Sequence, residues 1–317
     1  MLRWRLRNKR ARWPDSVENS RFAPPPDHVR PGMVAVTFIG QASFLLRLGG
    51  VTILTDPIFS DRCSPVSWAG PKRVRPPGLS LDDLPPIDVV LVSHNHYDHM
   101  DLPSLRRLQA RHALRVVTTL GNGRRLARVG LDRVEELDWW QATRFGALEV
   151  TATQARHFSA RTLLDRNRAL WGGFMLRIGE ASVLFAGDSG AGPHWKAIRD
   201  RLGSPDLALL PIGAYEPRSI MAAVHMDPAE AVQAHLALRA RRSIGMHFGT
   251  FQLTDEAMDA PVAALDEATR RAGVAAFGTL DFGETQCVPL GVPLDVPLGL
   301  AIPVEPGITG STNQVQR

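Results

Sequence analysis

The most distinctive stretch of this sequence is Ser93-His94-Asn95-His96-Tyr97-Asp98-His99. It follows the apolar run Asp88-Val89-Val90-Leu91-Val92, which predicts a buried strand. Neutral imidazoles and carboxylates are typical ligands of zinc and similar divalent metals. Because alternate side chains of an extended segment point the same way, we expect His94 and His96 to bind one ion. Asp98 and His99 would then face a second ion.

A polar loop with chance histidines is the competing interpretation, because His-x-His alone is a common pattern. Four candidate ligands within six residues, directly after a strand, are rarer and favour metal binding. Two metals need more ligands, and three further candidates also follow predicted strands. They are His157 after residues 148–153, Asp188 after residues 183–186, and His247 after residues 244–246. Each is weak alone, but together they complete two sites with an open position on each metal.

The composition allows a sizeable core in one or two domains, because the chain has 317 residues of which 44% are hydrophobic. We expect no membrane-spanning helix, since no run of about 18 apolar residues occurs. The basic start of the chain lacks the apolar segment of a secretory signal. With only the cysteines Cys63 and Cys287, no disulfide framework is expected, and a cytoplasmic location fits.

The chain is basic, with a formal net charge of +5 and a pI of about 9.8. This balance suits phosphate-bearing partners, namely nucleic acid, anionic lipid or a phosphorylated small molecule. In residues 1–13, arginine and lysine are interleaved with tryptophan and leucine. That mixture predicts a peripheral contact with the inner membrane surface, and a disordered basic terminus is equally compatible with it.

We predict three segments along the chain. Residues 1–32 form an arm that contains the stiff spacer Pro24-Pro25-Pro26. Residues 33–287 form the folded domain. Residues 288–317 form a tail in which Val-Pro-Leu occurs three times. Because proline at that density resists strand pairing, the tail is expected to be extended or disordered.

Both halves of the domain alternate short β-rich runs with helices. Residues 34–55 predict three antiparallel strands, and Gly179-Glu180 predicts a hairpin turn. Asp227 can cap a helix over residues 228–239, and another capped helix is predicted over residues 254–272. Two such halves indicate two sheets packed face to face with helices outside. The predicted fold is therefore an α/β four-layer αβ/βα sandwich in one domain.

The pattern His-x-His-x-Asp-His, with later His, Asp and His at strand ends, resembles the metallo-β-lactamase superfamily. Longer motifs over roughly residues 21–285 resemble the N-acylphosphatidylethanolamine-hydrolysing phospholipase D family, as a bacterial-type member. These motifs are Leu54-Thr55-Asp56-Pro57-Ile58-Phe59-Ser60, Gly70-Pro71-Lys72-Arg73, Pro86-Ile87-Asp88, Arg161-Thr162-Leu163, Leu170-Trp171-Gly172, Pro211-Ile212-Gly213-Ala214-Tyr215-Glu216-Pro217-Arg218, His225-Met226-Asp227-Pro228-Ala229-Glu230-Ala231 and His247-Phe248-Gly249-Thr250-Phe251. The short amino-terminal region and the proline-rich tail depart from the family pattern.

The resemblance implies a binuclear zinc site, although iron or manganese also binds such donor sets. By the family pattern, His94, His96 and His157 hold one zinc, Asp98, His99 and His247 hold the other, and Asp188 bridges them. The family pattern therefore implies that Asp98 and Asp188 are catalytic residues as well as metal ligands. The implied reaction cleaves N-acylphosphatidylethanolamine or a related phospholipid to N-acylethanolamine and phosphatidic acid, by attack of a hydroxide that both zincs share.

We also predict roles in catalysis, ligand orientation and substrate contact for residues around the ligands. His225 is the candidate general acid and a substrate contact, with a cap of the helix at Pro228 as the alternative. Asp56 is predicted to orient a ligand imidazole, or else to be a turn residue. The remaining predicted substrate contacts are Tyr215, Arg218, Trp171 and Phe251. The two aromatic residues Trp171 and Phe251 fit acyl-chain contact and ordinary core packing equally. Arg218 could pair with phosphate or with Glu216.

Other functions fit parts of the pattern. A lactone or carboxylic ester hydrolase would use the same metals and the same hydroxide. A non-catalytic lipid-binding protein is the alternative outside enzymes, and the complete ligand set argues against it. No nucleic-acid partner is expected, because the longer motifs are those of a lipid-cleaving family. The oligomeric state stays open, with a homodimer among the options.

Overall fold

Two seven-stranded sheets organise the chain in a computed structural model, which describes residues 10–291. The first sheet contains β1 (Met33–Gly40), β2 (Ser43–Leu48), β3 (Val51–Thr55), β4 (Val89–Val92), β5 (Arg115–Thr119), β6 (Val134–Leu137) and β14 (Thr285–Pro289). Its strand order is β14-β1-β2-β3-β4-β5-β6. Strands β14 to β3 pair antiparallel, and β3 to β6 pair parallel.

The second sheet repeats this division into an antiparallel and a parallel half. It contains β7 (Ala142–Phe145), β8 (Leu148–Thr153), β9 (Gly173–Ile178), β10 (Ala181–Phe185), β11 (Leu207–Pro211), β12 (Arg242–Met246) and β13 (Phe277–Gly278). Its order is β13-β12-β11-β10-β9-β8-β7. Strands β7 to β10 pair antiparallel, and β10 to β13 pair parallel. The predicted meander β1–β3 and the predicted hairpin β9–β10 are confirmed.

Helices cover the outer faces of the two sheets. They are α1 (Leu102–Arg111), α2 (Gly123–Ala127), α3 (His194–Leu202), α4 (Arg218–Met221), α5 (Pro228–Leu238) and α6 (Ala260–Ala272), with a 3₁₀ turn at Leu81–Asp83. On β4, Val89 and Leu91 belong to the core between the sheets, whereas Val90 and Val92 pack against α1. A strand buried on both faces must be apolar at every position, which explains the unbroken run. The four-layer αβ/βα sandwich is confirmed.

The two ends of the predicted domain differ from expectation. Residues 10–19 lie against the domain instead of forming a free arm, because Ala11 and Val17 donate backbone hydrogen bonds to Asp255 and Val74 at 3.0 and 2.9 Å. At the other end, β14 continues through Val288 to Pro289. Proline is tolerated there because β14 is an edge strand of its sheet. Residues 1–9, which include most of the predicted membrane contact, and residues 292–317 lie outside the described part.

The helix predicted from residue 254 begins only at Ala260. Side-chain hydrogen bonds hold the preceding residues in a different conformation. The Glu256 carboxylate accepts from the Thr254 hydroxyl at 2.8 Å and from the backbone N–H of Glu216 at 3.1 Å. The short strand β7 was not predicted. Among residues 10–291, no helix is both long and apolar enough to cross a bilayer.

The predicted cap at the start of α5 is present and can be tested by mutation. The Asp227 carboxylate accepts from the Glu230 N–H at 2.8 Å, and the Glu230 side chain accepts from the Asp227 N–H at 3.1 Å. We expect Asp227→Ala to lower the free energy of unfolding by about 1 kcal/mol in urea denaturation, because it removes this capping box. The matched control is Asp259→Ala at the start of α6, where the described structure shows no side-chain capping bond. An equal loss in the free energy of unfolding in both variants would contradict the stabilising role of the Asp227 capping box.

Candidate metal centre

The ends of four strands bring the predicted ligands to one edge of the sandwich. The turn from His94 to His99 follows β4 of the first sheet. His157, Asp188 and His247 follow β8, β10 and β12 of the second sheet. All seven predicted ligands therefore come together, although they lie up to 153 residues apart in the chain.

Three imidazoles form the first group. His94 Nε2 lies 2.9 Å from His96 Nδ1, and His157 Nε2 lies 3.1 Å from the same atom. Three ring nitrogens that face one another this closely have the spacing of donors around a single ion, since metal–nitrogen bonds of about 2.0–2.1 Å separate neighbouring ligands by about 3 Å. His94 and His157 are buried, and His96 is partly open to solvent.

Two imidazoles and two carboxylates form the second group. His247 Nε2 lies 3.1 Å from Asp98 Oδ2 and 3.1 Å from Asp188 Oδ2. His99 Nε2 lies 3.3 Å and 3.0 Å from the same two oxygens. Asp188 Oδ2 also lies 3.8 Å from His157 Nε2 in the first group, so this carboxylate stands between the groups.

An unpaired buried atom gives an independent indication that cations belong here. Asp188 Oδ1 is buried and has no hydrogen-bond partner within residues 10–291. A buried polar atom without a partner costs about 1–3 kcal/mol, so such atoms are rare unless they bind an ion or water. The donor set of five imidazoles and two carboxylates fits two divalent metals of the zinc, iron or manganese type.

The protonation states of the histidines in the cluster also favour metal binding. Burial lowers the pKa of His96 to about 4 and that of His157 to about 3, so both rings are neutral and able to bind a metal. Burial also acts against a charge on His247, but the carboxylates of Asp188 and Asp98 outweigh it and raise its pKa to about 9. The carboxylates therefore attract positive charge, which a metal ion would supply in place of protons.

Asp56, which was predicted to orient a ligand imidazole, lies within hydrogen-bond distance of His99. Its Oδ2 atom accepts the Nδ1 proton of His99 at 2.6 Å, and its Oδ1 atom accepts from the Ser93 N–H at 2.7 Å. The Ser93 hydroxyl donates to Asp56 Oδ2 at 2.5 Å and lies 2.9 Å from His94 Nδ1. The fully buried carboxylate of Asp56 thus orients His99 directly and His94 through the Ser93 hydroxyl, so that both rings present Nε2 to the centre.

The turn that carries Asp188 needs glycine before it. Gly187 has φ = +61°, and a Cβ atom there would lie 2.5 Å from the carbonyl oxygen of Gly172. Both the positive φ and the close approach exclude larger residues at this position. Gly187 therefore allows the backbone to pass close to Gly172 just before Asp188.

Comparison with known proteins identifies the family. A family model described as "Beta-lactamase superfamily domain" matches residues 51–248. The N-acyl-phosphatidylethanolamine-hydrolyzing phospholipase D 1 of Caenorhabditis elegans is 38% identical over 273 residues, which cover 81% of this chain and 76% of that protein. The chain belongs to the N-acylphosphatidylethanolamine-hydrolysing phospholipase D family of the metallo-β-lactamase superfamily.

A second relative supports the family, and a solved structure supports the fold. The mitochondrial enzyme of the same family from Saccharomyces cerevisiae is 36% identical over 227 residues, which cover 69% of this chain and 48% of that protein. The solved structure of Igni18, a metallo hydrolase from Ignicoccus hospitalis, matches with a TM-score of 0.60 and 22% identity over 80% of this chain and 98% of that chain. Together with the donor cluster, membership in this superfamily supports a metal-dependent hydrolase.

His225 lies beside the metal groups, as the prediction requires of a residue that touches substrate. Its ring centroid is 5.0 Å from that of His157 and 5.3 Å from that of His247. Burial lowers the pKa of His225 to about 3, so the ring is neutral. A neutral imidazole donates a hydrogen bond well but transfers a proton poorly at neutral pH, which weighs against the role of general acid.

The side chain of Arg218 pairs with residues other than Glu216. Its guanidinium donates to Glu230 at 2.6 Å and to the carbonyl oxygen of His225 at 3.1 Å, and it lies 3.5 Å from Asp227. Glu216 accepts from the backbone N–H of Arg218 and not from its side chain. The arginine therefore ties α4 and α5 together and fixes the backbone of His225.

The predicted aromatic contacts lie at different depths. Trp171 is half-buried, and its indole N–H donates to the carbonyl oxygen of Ala155, two residues before the predicted ligand His157. Phe251 is buried in a small apolar cluster with Ile58 and Cys63, so it belongs to the core. Tyr215 is buried, and burial raises the pKa of its hydroxyl to about 12.

Sequence reasoning missed Gln41, in the turn between β1 and β2. Its side-chain amide donates to Asp98 Oδ2 at 2.9 Å and lies 2.9 Å from His247 Nε2. Its carbonyl oxygen accepts the His247 N–H at 2.7 Å, and its own N–H donates to Thr250 at 2.8 Å. Gln41 and His247 both have positive φ, at 56° and 67°. A single buried amide in a turn leaves no spacing pattern that could have revealed it.

Metal content tests the two groups separately. We expect the metal-loaded protein to hold two equivalents and His157→Ala to hold one, because the variant breaks the three-imidazole group and spares the other. Elemental analysis after gel filtration measures both values. The control His28→Ala replaces an exposed histidine outside the centre and should keep two equivalents. Two equivalents in His157→Ala would show that this residue is not a ligand.

Gln41→Ala tests the residue that supports Asp98 and His247. Loss of an orienting hydrogen bond behind a ligand weakens metal affinity by about 10- to 100-fold. We therefore expect one of the two metals to be lost at lower chelator concentration, as measured by competition with a chromogenic chelator. The matched control is Gln233→Ala on the exposed side of α5. Unchanged competition curves for Gln41→Ala would assign the amide a purely structural role.

Proposed function

We propose that this chain is a two-zinc phosphodiesterase that hydrolyses N-acylphosphatidylethanolamine, or a related phospholipid, to N-acylethanolamine and phosphatidic acid. The observation that carries the proposal is the 38% identity with the C. elegans phospholipase over 76% of that protein. The convergence of seven donors at one edge of the sandwich supports it. The substrate is a membrane lipid, and we propose a cytoplasmic location at the inner membrane surface.

Bound zinc would supply a water of lowered pKa and neutralise charge on the phosphodiester oxygens. The chain's own groups do the rest. Asp98 and Asp188 hold their carboxylates within 3.3 Å of two imidazoles each, and Asp56 keeps His99 in one tautomer. His225 stands next to both groups with a neutral ring, so it can donate a hydrogen bond to a phosphodiester oxygen.

The reaction balances with water as the only co-reactant. The water oxygen forms a bond to phosphorus, and the bond from phosphorus to the ethanolamine oxygen breaks. One proton of the water passes to the leaving oxygen, which becomes the hydroxyl of N-acylethanolamine. The remaining phosphate monoester is phosphatidic acid.

Mass spectrometry of a lipid panel tests the proposal. We expect the metal-loaded protein to release N-acylethanolamine and phosphatidic acid in equal amounts, and Asp188→Asn to lose on the order of 10³-fold in rate, because it removes charge from both metal groups. The control His28→Ala should keep full activity. In water labelled with ¹⁸O, the label should appear in phosphatidic acid and not in N-acylethanolamine.

The same assay separates the competing functions. A bis-aryl phosphodiester, an aryl ester and a lactone are offered in parallel under identical metal loading. Hydrolysis of the ester or lactone with no phosphodiester cleavage would replace the proposal with the ester hydrolase. No turnover of any substrate, together with lipid binding, would support the non-catalytic lipid-binding protein.

A further inference from the structure

Three short segments that carry residues of the metal centre lie against one another. They are residues 155–157, which contain His157, residues 188–190, which contain Asp188, and residues 223–226, which contain His225. The backbone N–H of Gly190 donates to the carbonyl oxygen of Arg156 at 2.9 Å. A Cβ atom at Gly190 would lie 2.9 Å from the carbonyl oxygen of Ala223, so the backbones also meet closely. The position of each segment therefore depends on the other two.

Further hydrogen bonds join the three segments in a closed triangle. The backbone N–H of Arg156 donates to the Ser189 hydroxyl at 2.9 Å, and the backbone N–H of Met226 donates to the Ser189 carbonyl oxygen at 3.1 Å. On the third side, His157 Nδ1 lies 3.0 Å from the carbonyl oxygen of Val224. Because a carbonyl oxygen only accepts, Nδ1 of this ring carries the proton and Nε2 is free to bind a metal.

Ser189 takes part in two of these three bonds, and its side chain has a further partner. The residue is fully buried, and its Oγ atom lies 2.9 Å from Nε2 of His194, the first residue of α3. The same Oγ atom lies 3.0 Å from the carbonyl oxygen of Gly190. The hydroxyl has one proton, so the His194 ring donates through Nε2 when the hydroxyl donates to Gly190. Burial, and then the charge of Arg156, lower the pKa of His194 to about 4, so the ring is neutral near pH 7.

The chain contains a second buried pair of histidine and serine, away from the metal centre. His235 Nδ1 on α5 lies 2.8 Å from Ser243 Oγ on β12, and both residues are buried. Burial lowers the pKa of His235 to about 4 as well. Ser243 lies near the start of β12, whereas the predicted ligand His247 follows the end of that strand. The second pair therefore provides a control for the loss of a buried bond between histidine and serine.

We propose that Ser189, held by His194, is a positioning residue that fixes His157 and His225 relative to Asp188. Without the hydroxyl, the buried N–H of Arg156 loses its partner, which is costly, so the segment that ends in His157 must shift to find another one. The spacing of the three-imidazole group then changes. This inference rests on the proposed function, because a phosphodiester that contacts both metal groups and His225 requires all of them in one fixed arrangement.

Metal retention of the full chain tests the inference without any substrate. We expect Ser189→Ala to lose one of two metal equivalents at a chelator concentration on the order of tenfold lower than the wild type, because a bond behind the ligand His157 is gone. The control Ser243→Ala should keep the wild-type chelator curve, although both variants lose a bond to a buried histidine and should unfold at a similarly lowered temperature. Equal metal retention in the two serine variants would overturn the inference.

Cobalt substitution reports the geometry of the metal groups directly. The visible absorption bands of protein-bound Co²⁺ depend on the number and arrangement of its ligands. We expect these bands to shift in Ser189→Ala and to stay unchanged in Ser243→Ala, because only the first variant moves the segment that carries His157. Identical bands in Ser189→Ala and the wild type would overturn the inference.

Two replacements of His194 separate its hydrogen bond from the space that its ring fills. His194→Gln retains an N–H group near the place of Nε2, whereas His194→Met fills a similar volume without this group. We expect the glutamine variant to keep the chelator curve and cobalt bands of the wild type, and the methionine variant to resemble Ser189→Ala. Wild-type behaviour of the methionine variant, or equal losses in both variants, would overturn the role of His194.

Hydrolysis of a phosphodiester separates this inference from the proposed function. We expect kcat to fall on the order of tenfold in Ser189→Ala and to be unchanged in Ser243→Ala. If the wild type cleaves no phosphodiester while the two serine variants still differ in metal retention and cobalt bands, the proposed function fails and the positioning role stands. If the wild type cleaves it and Ser189→Ala matches the wild type in rate, retention and bands, the function stands and the inference fails.

Discussion

Two buried carboxylates require positive charge beside them. The arrangement of the site depends on this attraction. Asp98 and Asp188 lie in a region from which water is largely excluded, within 3.3 Å of the imidazoles of His99 and His247. Buried charges are stable only when they are paired or bound to metal. Without a cation, these carboxylates raise the pKa of His247 to about 9 and draw protons into the centre. With cations, the same arrangement becomes a hydrolytic site.

The sandwich supplies this arrangement because strands from both sheets end at one edge. The residues behind the ligands then fix them in place. Asp56 reaches His99 directly, and Ser93 links Asp56 to His94. On the opposite side, Gln41 joins the β1–β2 turn to the His247 loop and keeps a residue of positive φ in position, a conformation that costs about 1–3 kcal/mol. Ligands from distant parts of the chain are thereby held as one group.

The donor cluster could be predicted because each donor lies next to a pattern that is visible in a short stretch of sequence. Four donors lie within six residues, and the other three follow strands that their own apolar pattern reveals. Asp56 was predicted to orient a ligand ring or to be a turn residue, and its carboxylate lies 2.6 Å from His99 Nδ1. Interactions made only in three dimensions could not be predicted, such as the amide of Gln41 on Asp98. The false helix start at Thr254 has a similar origin, since the Glu256 side chain holds a distant backbone segment there.

Anomalous X-ray scattering from crystals of the metal-loaded protein tests most directly whether the seven side chains hold two metal ions as neighbours. We predict two anomalous peaks about 3.5–4 Å apart. One should lie about 2.0–2.1 Å from His94 Nε2, His96 Nδ1 and His157 Nε2, and the other at similar distances from His99 and His247. A single peak, or peaks away from Asp188, would contradict the account.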